Sequence, residues 1–138
     1  MNIAIMCHKK RQDLMIQFCS AYCGVLAKHT ICATNIVGRI ISEATGLTVH
    51  RYMSREHGGI EQIGQRIMYN EIDMVLFFDF PQDKDLEKEM RYIRRLCDVH
   101  NVPIATSLAS AEMLIHGLSN GDLDWRTVAY PNRNSSSL

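Results

Sequence analysis

The sequence predicts a three-layer α/β domain, in which a doubly wound parallel sheet is covered by helices on both faces. Short apolar runs alternate with segments whose apolar residues recur at helical spacing, and this alternation is typical of consecutive βαβ units. At 138 residues the chain has the length of one domain with a substantial core. We expect that domain to span residues 1–130, followed by a disordered polar tail at 131–138.

Five apolar runs predict the strands of the sheet. The run 2–7 ends at a cluster of polar residues that begins with His8, and the run 73–78 is apolar at nearly every position. Continuous apolar runs of this length are typical of strands that are buried on both faces of a parallel sheet. The predicted strands are 2–7, 30–33, 48–52, 73–78 and 102–105.

Segments with helical periodicity lie between these strands. Thr34 or Asn35 is suited to cap the second helix, and Gly46 is suited to end it. The third helix follows the pair Gly58–Gly59 and is marked by its isoleucines. The predicted helices are 11–27, a helix from Thr34 or Asn35 to Gly46, one carrying Ile60, Ile63, Ile67 and Met68, 85–100 and 107–118.

Charge and hydropathy exclude several classes of function. The 15 basic and 15 acidic side chains cancel, so no overall field attracts nucleic acid or an anionic membrane. No apolar stretch has the length of a membrane span, and the first residues do not resemble a signal peptide. We therefore expect a cytoplasmic protein whose five cysteines are reduced thiols.

Cys19 and Cys23 lie four residues apart, on one face of the first predicted helix. They could form half of a metal site, but the sequence supplies no Cys-x-x-Cys motif or histidine pair to complete it. Free cysteine also fills cores as a small apolar side chain, and we favour that role here. We expect no bound metal.

The topology predicts where a ligand would bind. In doubly wound sheets, ligands bind beyond the carboxyl ends of the strands, which selects the loops 8–12, 34–38, 53–60 and 79–84. The first loop combines a histidine at the strand end with basic residues at a helix start, a combination that favours an anion. His8 is the better candidate to face the site, because Lys9 and Lys10 could simply be solvated.

Two further loops carry candidate residues. Ser54 and Arg55 precede Gly58–Gly59, where a glycine backbone would let N–H groups approach a ligand closely, although ordinary turn chemistry also explains such a pair. Asp79, Asp83 and Asp85 occupy the fourth loop. Any of the three could act as a base, or the last two could simply begin the next helix, where acidic residues suit the helix dipole.

Several stretches of residues 2–128 together resemble the methylglyoxal synthase family. The matching stretches are Ile3–His8, Ala33–Thr34, Ser42–Leu47, Gly58–Gly59 with Gln62–Gly64, Ile72–Phe77, Arg95–Val99 and Pro103–Thr106. The resemblance implies the fold predicted above and assembly as a homohexamer. It also implies conversion of dihydroxyacetone phosphate to methylglyoxal and phosphate without a cofactor.

The chain departs from the family pattern at several functional positions. The reaction needs a carboxylate base, groups that stabilise an enediolate, and a phosphate grip. The family's base follows the glycine pair, where this chain has Ile60. The family's His-Asp pair is reduced to His8–Lys9, and the loop 34–38 has lost two phosphate-binding hydroxyls. Ser54–Arg55 replaces a serine-glycine pair, and Phe80 replaces an aspartate.

The remaining residues predict a site for a small anionic metabolite or phosphate. Arg11 takes the place of a phosphate-binding lysine of the family, and Arg55 adds a guanidinium that suits carboxylate or phosphate oxygens. The predicted ligand-binding residues are His8, Arg11, Thr34, Ser54, Arg55, Gly58 and Gly59.

Two functional hypotheses follow, and we favour the first. In the first, the chain is an anion-binding or assembly module, homo-oligomeric, with little or no synthase activity. In the second, it is an active methylglyoxal synthase or a related phosphate-ester lyase, with Glu61 or Asp79 as the base and His8 taking part. Glu61 would point about 100° away from Ile60 on a regular helix. A third, plainer hypothesis is that apolar side chains fill the old cavity, namely Ile36, Val37, Ile60 and Phe80.

Overall fold

The computed structural model describes residues 1–131, which form a five-stranded, wholly parallel sheet. The strand order is β3-β2-β1-β4-β5, so the chain builds outward from β1 on one side and then on the other. The strands are β1 (Asn2–Cys7), β2 (Thr30–Ala33), β3 (Val49–Arg51), β4 (Met74–Phe78) and β5 (Ile104–Ala105). This confirms the predicted doubly wound α/β fold.

Helices cover both faces of the sheet. The helices of the described part are α1 (Gln12–Ala21), α2 (Cys23–Leu26), α3 (Asn35–Thr45), α4 (Gly59–Met68), α5 (Glu87–Val99), α6 (Leu108–Ser119) and α7 (Trp125–Ala129). Three short 3-10 turns, at Lys9–Arg11, Arg55–His57 and Lys84–Leu86, precede α1, α4 and α5. Of the predicted tail 131–138, Pro131 lies in a turn, and the rest is outside the described residues.

Two separate cores lie against the two faces of the sheet. Successive strand residues point to opposite faces, so Ile3 and Ile5 of β1 face one core while Ala4 and Met6 face the other. The first core contains side chains of α1, α3 and α6, and the second contains those of α4 and α5. Both faces are covered, which explains why β4 is buried along its whole length.

The predicted first helix is interrupted at Tyr22, which leaves the helical conformation between α1 and α2. Its ring packs 4.9 Å from that of Phe18, and its hydroxyl donates a hydrogen bond to Glu112 on α6. Contact with α6, which lies far away in sequence, accompanies the break. The short helix α7 was not predicted, because its five residues contain no apolar stripe and its buried residue is Arg126.

A buried ion pair holds α7 against the amino-terminal ends of the central strands, whereas the predicted site lies at their carboxyl ends. The Arg126 Nε donates to Asp73 Oδ1 at 2.9 Å, and neither side chain has any exposed surface. The other guanidinium nitrogens donate to the carbonyls of Asn101 and Ile72, at 2.7 and 3.2 Å. Asp73 also accepts the backbone N–H of Asn2 at 2.8 Å. The pair therefore joins α7 to the starts of β1 and β4.

Candidate functional site

A cavity of about 200 Å³ opens at the carboxyl ends of β1 and β4. The order of the strands reverses between these two, and this switch point is where doubly wound sheets bind ligands. The residues that line the cavity are Met6, Cys7, Lys9, Gln12, Thr34, Ile36, Val37, Ser54, Arg55, Glu56, Ile60, Phe77, Asp85 and Leu86. The loops 8–12, 34–38 and 53–60 each contribute residues to this lining. The loop 79–84 contributes none itself, but Asp85 and Leu86, which follow it, line the cavity.

Two helices begin at the wall of the cavity. Thr34 is the N-cap residue of α3 in extended conformation, and its side chain makes no capping hydrogen bond. Gly58, with φ of +96°, is the N-cap residue of α4. The first N–H groups of a helix have no partner within the helix and carry the positive end of its dipole. Two such starts at one cavity create a favourable environment for an anion.

Gly59 allows α4 to begin so close to this wall. A Cβ atom at Gly59 would lie 3.0 Å from Thr34 Cγ2 and would overlap the carbonyl oxygen of Met53. The Gly59 N–H donates to the carbonyl of Ser54 at 3.0 Å, which holds the loop against the helix start. In the structure Gly59 serves close packing of backbone and Gly58 supplies the positive φ, and neither of these two predicted ligand-binding glycines is among the residues that line the cavity.

The basic residues of the first loop are arranged differently from the prediction. Lys9 and Gln12 line the cavity. Arg11, which was predicted to bind the ligand, stacks its Cζ 4.8 Å from the centroid of the Phe80 ring, and Lys10 Nζ is 5.2 Å from the same centroid. The 3-10 turn at Lys9–Arg11 turns successive side chains about 120° apart, so neighbouring residues face different surroundings.

His8 is fully buried and is not among the residues that line the cavity. Its Nδ1 accepts the backbone N–H of Lys10 at 3.0 Å, which assigns the proton of the neutral ring to Nε2. Nε2 lies 3.4 Å from Asp83 Oδ2, without hydrogen-bond geometry, and Lys10 Nζ lies at the same distance from that oxygen. The Asp85 N–H, followed by Lys10, lowers the pKa of Asp83.

Arg55 lines the cavity but is engaged by acidic residues of the neighbouring element. Its Nη2 lies 3.0 Å from Glu89 Oε1 and donates to the carbonyl of Asp85 at 3.0 Å. Its Nη1 is 3.4 Å from Asp85 Oδ2. Arg55, which was predicted to bind an anion, therefore forms a clamp between the Arg55–His57 turn and α5, and acidic side chains lie close to its guanidinium.

Ser54 forms a polar pair at the rim of the same cavity. Its Oγ lies 2.7 Å from His57 Nδ1, and the His57 N–H donates to the Ser54 carbonyl at 3.0 Å. The serine hydroxyl is thus oriented by the imidazole three residues later. Thr34, Ser54 and Arg55 are the predicted ligand-binding side chains that the structure brings together at the cavity.

Of the acidic residues considered from the sequence, Asp85 lines the cavity, whereas Glu61 and Asp79 do not. Glu61 lies in a separate groove with Lys88, Glu89 and Tyr92, and Asp79 lies in another with Arg91 and Arg94. Ile60 lines the cavity and is only 5% exposed. In the described part of the chain, the carboxylates that line the cavity are those of Glu56 and Asp85. Sequence reasoning overlooked Glu56, although it lies within the loop 53–60 that the topology selected.

Cys7 contributes a thiol to the cavity wall. Burial, and then the neighbouring Cys19, raises the pKa of Cys7 to about 12. All five cysteines are free thiols, and burial likewise raises the pKa of Cys19, Cys32 and Cys97 to about 12. Among residues 1–131 there is no group of three histidine, cysteine or acidic side chains that could hold a metal ion. The same residues include no helix long and apolar enough to cross a bilayer.

Comparison with known proteins identifies the class and then the family. The family model described as the MGS-like domain matches residues 15–106. The methylglyoxal synthase of Caldicellulosiruptor saccharolyticus is 50% identical over 132 residues, which cover 95% of this chain and 94% of that protein. The corresponding enzyme of Oceanobacillus iheyensis is 47% identical over 129 residues, covering 93% and 92%.

A solved structure agrees with these relatives. The crystal structure of methylglyoxal synthase from Elizabethkingia anophelis superimposes with a TM-score of 0.72 at 34% identity, over 83% of this chain and 76% of that one. The chain belongs to the methylglyoxal synthase family. The resemblance on which the sequence analysis relied is therefore confirmed.

The comparisons also correct the functional hypothesis that we favoured. A binding or assembly module with little or no synthase activity was the wrong choice, because relatives that are 44–50% identical along almost their whole length are named methylglyoxal synthase. The findings favour the alternative, an active enzyme. We had favoured an inactive module because the family's base follows the glycine pair and this chain has Ile60 at that position. The cavity nevertheless contains two other carboxylates, those of Glu56 and Asp85.

Proposed function

We propose that the protein is an active lyase that converts dihydroxyacetone phosphate to methylglyoxal and inorganic phosphate without a cofactor. The observation that carries this proposal is the 50% identity to a methylglyoxal synthase over 95% of this chain and 94% of that protein. The cavity lies at the switch point of the sheet, as expected for the ligand site of this fold.

The phosphate group would bind between the starts of α3 and α4. Thr34 and Ser54 offer hydroxyls there, and Lys9 offers an ammonium group. Together with unpaired N–H groups at two helix starts, these donors suit a dianion. Arg55 would contribute mainly by fixing the loop, because Asp85 and Glu89 already share its charge.

The remaining wall of the cavity is apolar. Ile36, Ile60 and Leu86 line it, and they would exclude water from the carbon skeleton of the substrate. Electrostatic interactions are stronger where water is excluded, so nearby N–H donors and Lys9 would stabilise a developing oxyanion more effectively there. This wall also suits a short carbon chain that carries few hydroxyls.

The proposed reaction is an elimination that begins with proton removal. A base takes a proton from the hydroxymethyl carbon next to the carbonyl, and the electron pair moves to the carbonyl oxygen as an enediolate. The carbon–oxygen bond to phosphate then breaks, the hydroxyl proton leaves with phosphate, and the former methylene carbon takes up a proton to become the methyl group. Loss of the base alone would cost ~10²–10⁴-fold in rate.

We also propose that the enzyme acts in the cytoplasm as a homo-oligomer, the hexamer implied by the family resemblance. Five free thiols suit a reducing compartment. Large apolar side chains on the surface suit subunit contacts, and examples are Met113 and Val128, which are 75% and 82% exposed.

The test is a direct assay of the purified protein with dihydroxyacetone phosphate. We expect methylglyoxal and inorganic phosphate to appear in equal amounts, at a rate proportional to enzyme concentration. Glycerol 3-phosphate is the matched control, because it lacks the carbonyl that makes the neighbouring proton acidic. Added inorganic phosphate should inhibit competitively if the cavity binds the phosphate group. Methylglyoxal formation no faster than in buffer would refute the proposal.

A further inference from the structure

The proposed reaction needs a base within the cavity. In the family the base directly follows the glycine pair, and this chain has Ile60 at that position. Isoleucine cannot accept a proton, and Ile60 is part of the buried cavity wall. A general base must come within hydrogen-bond distance of the proton that it removes. The base must therefore be sought among the other residues that line the same cavity.

Glu61 and Asp79 do not meet this requirement. Glu61 is the residue next to Ile60, but on α4 it turns toward Lys88 and Tyr92 on the outer side of the helix. Asp79 follows β4 and lies in a groove with Arg91 and Arg94. Neither side chain is among those that line the cavity at the helix starts. Using either as the base would require a rearrangement of the surrounding backbone.

Asp85 lines the cavity but already has a partner. Its Oδ2 lies 3.4 Å from the Nη1 of Arg55, whose guanidinium also contacts the Asp85 carbonyl and Glu89. The carboxylate is therefore already engaged by the guanidinium on the side that faces Arg55. Asp85 is better suited to holding the Arg55 clamp in place.

Glu56 also lines the cavity, and its carboxylate, unlike that of Asp85, is not engaged by a basic side chain in the described part of the chain. It lines the cavity, and none of the hydrogen bonds and ion pairs found among residues 1–131 involves its carboxylate. Its backbone is fixed, because it lies between Arg55, which is clamped to α5, and His57, which is hydrogen-bonded to Ser54. A free side chain on a fixed turn is a suitable arrangement for a proton-transfer group.

We infer that Glu56 is the general base of this enzyme, in place of the residue that the family carries at the position of Ile60. This inference rests on the proposed function and identifies the group that carries out its first step. A Glu56 carboxylate oxygen takes the proton from the hydroxymethyl carbon, and the electron pair passes to the carbonyl oxygen. Because Glu56 is exposed at the cavity mouth, solvent can take that proton away and restore the carboxylate.

The test compares Glu56→Gln with Glu61→Gln and Asp79→Asn, all of which remove one carboxylate with little change of shape. We expect Glu56→Gln to lower kcat by ~10²–10⁴-fold, with KM changed only a few-fold, because the amide binds substrate but accepts no proton. The other two variants should stay within about threefold of the wild type. Thermal unfolding of all three should match the wild type, since Glu56 is exposed and unpaired.

A second measurement separates failure of this inference from failure of the proposed function. Exchange of the substrate's hydroxymethyl proton in heavy water, followed by NMR, reports proton removal without any need for phosphate release. Wild-type exchange that is lost in Glu56→Gln supports Glu56 as the base even if no methylglyoxal forms, which would refute only the lyase activity. Turnover or exchange by Glu56→Gln within threefold of wild type would overturn the assignment.

Discussion

The stability of the fold depends on a buried ion pair far from the cavity, between Arg126 and Asp73. Both side chains are without exposed surface, and every guanidinium nitrogen of Arg126 donates to an acceptor. Its guanidinium also lies 5.0 Å from the ring centroid of Tyr130 and 5.4 Å from that of Trp125. A buried pair with this geometry is tolerated, but removal of one member takes a charged hydrogen-bond partner away from the other.

We expect Arg126→Met to destabilise the fold by ~3–5 kcal/mol, because Asp73 would keep its burial and lose its counter-charge. Chemical denaturation measures this change in the free energy of unfolding. Arg91→Met is the matched control: Arg91 Nη2 lies 3.8 Å from Glu87 Oε1, and its side chain is 77% exposed. Its loss should cost less than ~1 kcal/mol. Equal effects of the two substitutions would contradict this account.

At the scale of elements, the packing of α4 against the loop after β3 determines the shape of the cavity. The contact is made by backbone, since the start of α4 touches the Met53 carbonyl directly at Gly59. Rigid backbone cannot yield as a long side chain can. The position of the α4 start, where we propose that the phosphate group binds, is therefore sensitive to one added methyl group.

Gly59→Ala is expected to destabilise the protein by ~1–3 kcal/mol and to raise KM for the phosphate substrate, because the start of α4 must move away from the loop. Gly24→Ala is the control within α2, where an added Cβ would meet no atom within 4 Å. That change should be neutral or stabilise by up to ~1 kcal/mol, with KM unchanged. Denaturation midpoints and steady-state kinetics measure both. Wild-type stability and KM in Gly59→Ala would contradict this account, because they would show that the start of α4 moves away from the Met53 carbonyl at no cost.

At the scale of the whole molecule, α6 and α7 carry several large apolar side chains that are exposed in the single chain. Met113 and Val128 are largely exposed, and Trp125 and Leu108 are partly so. Exposed apolar groups of this kind are a normal component of subunit interfaces. They favour association of several copies of the chain.

Light scattering after size exclusion should give a mass well above the 15.8 kDa of one chain, and a multiple of it. The family resemblance suggests six copies, and the mass should hold over a dilution series if the subunit contacts are tight. The same mass in low and high salt would indicate apolar rather than ionic contacts. A monomer at every micromolar concentration would exclude oligomerisation.

The sequence predicted the elements better than it predicted the side chains that reach the cavity. The strand 30–33 and the helix bounded by Thr34 and Gly46 were correct, because apolar runs and caps are local signals. The break at Tyr22 and the helix α7 were missed, because contacts with distant residues accompany both.

For the site, the loops were predicted, but only some of the residues that line the cavity were, among them Thr34, Ser54 and Arg55. Lys9 lines the cavity where Arg11 was expected, and Glu56 lies there instead of Glu61. Short 3-10 turns hold both Lys9 and Glu56, and in such turns each residue step rotates the side chain by about 120°. A one-residue uncertainty in register therefore selects a different side chain, and sequence spacing does not resolve it.

The raised pKa of Cys7 affects how readily this thiol would react with methylglyoxal, the proposed product. Methylglyoxal is an electrophile that thiolates attack, and Cys7 is among the residues that line the cavity in which we propose it forms. The thiolate is the nucleophilic form of cysteine, and a pKa of about 12 keeps Cys7 almost entirely protonated at neutral pH. If methylglyoxal forms in this cavity as we propose, the raised pKa of Cys7 would slow its reaction with that product.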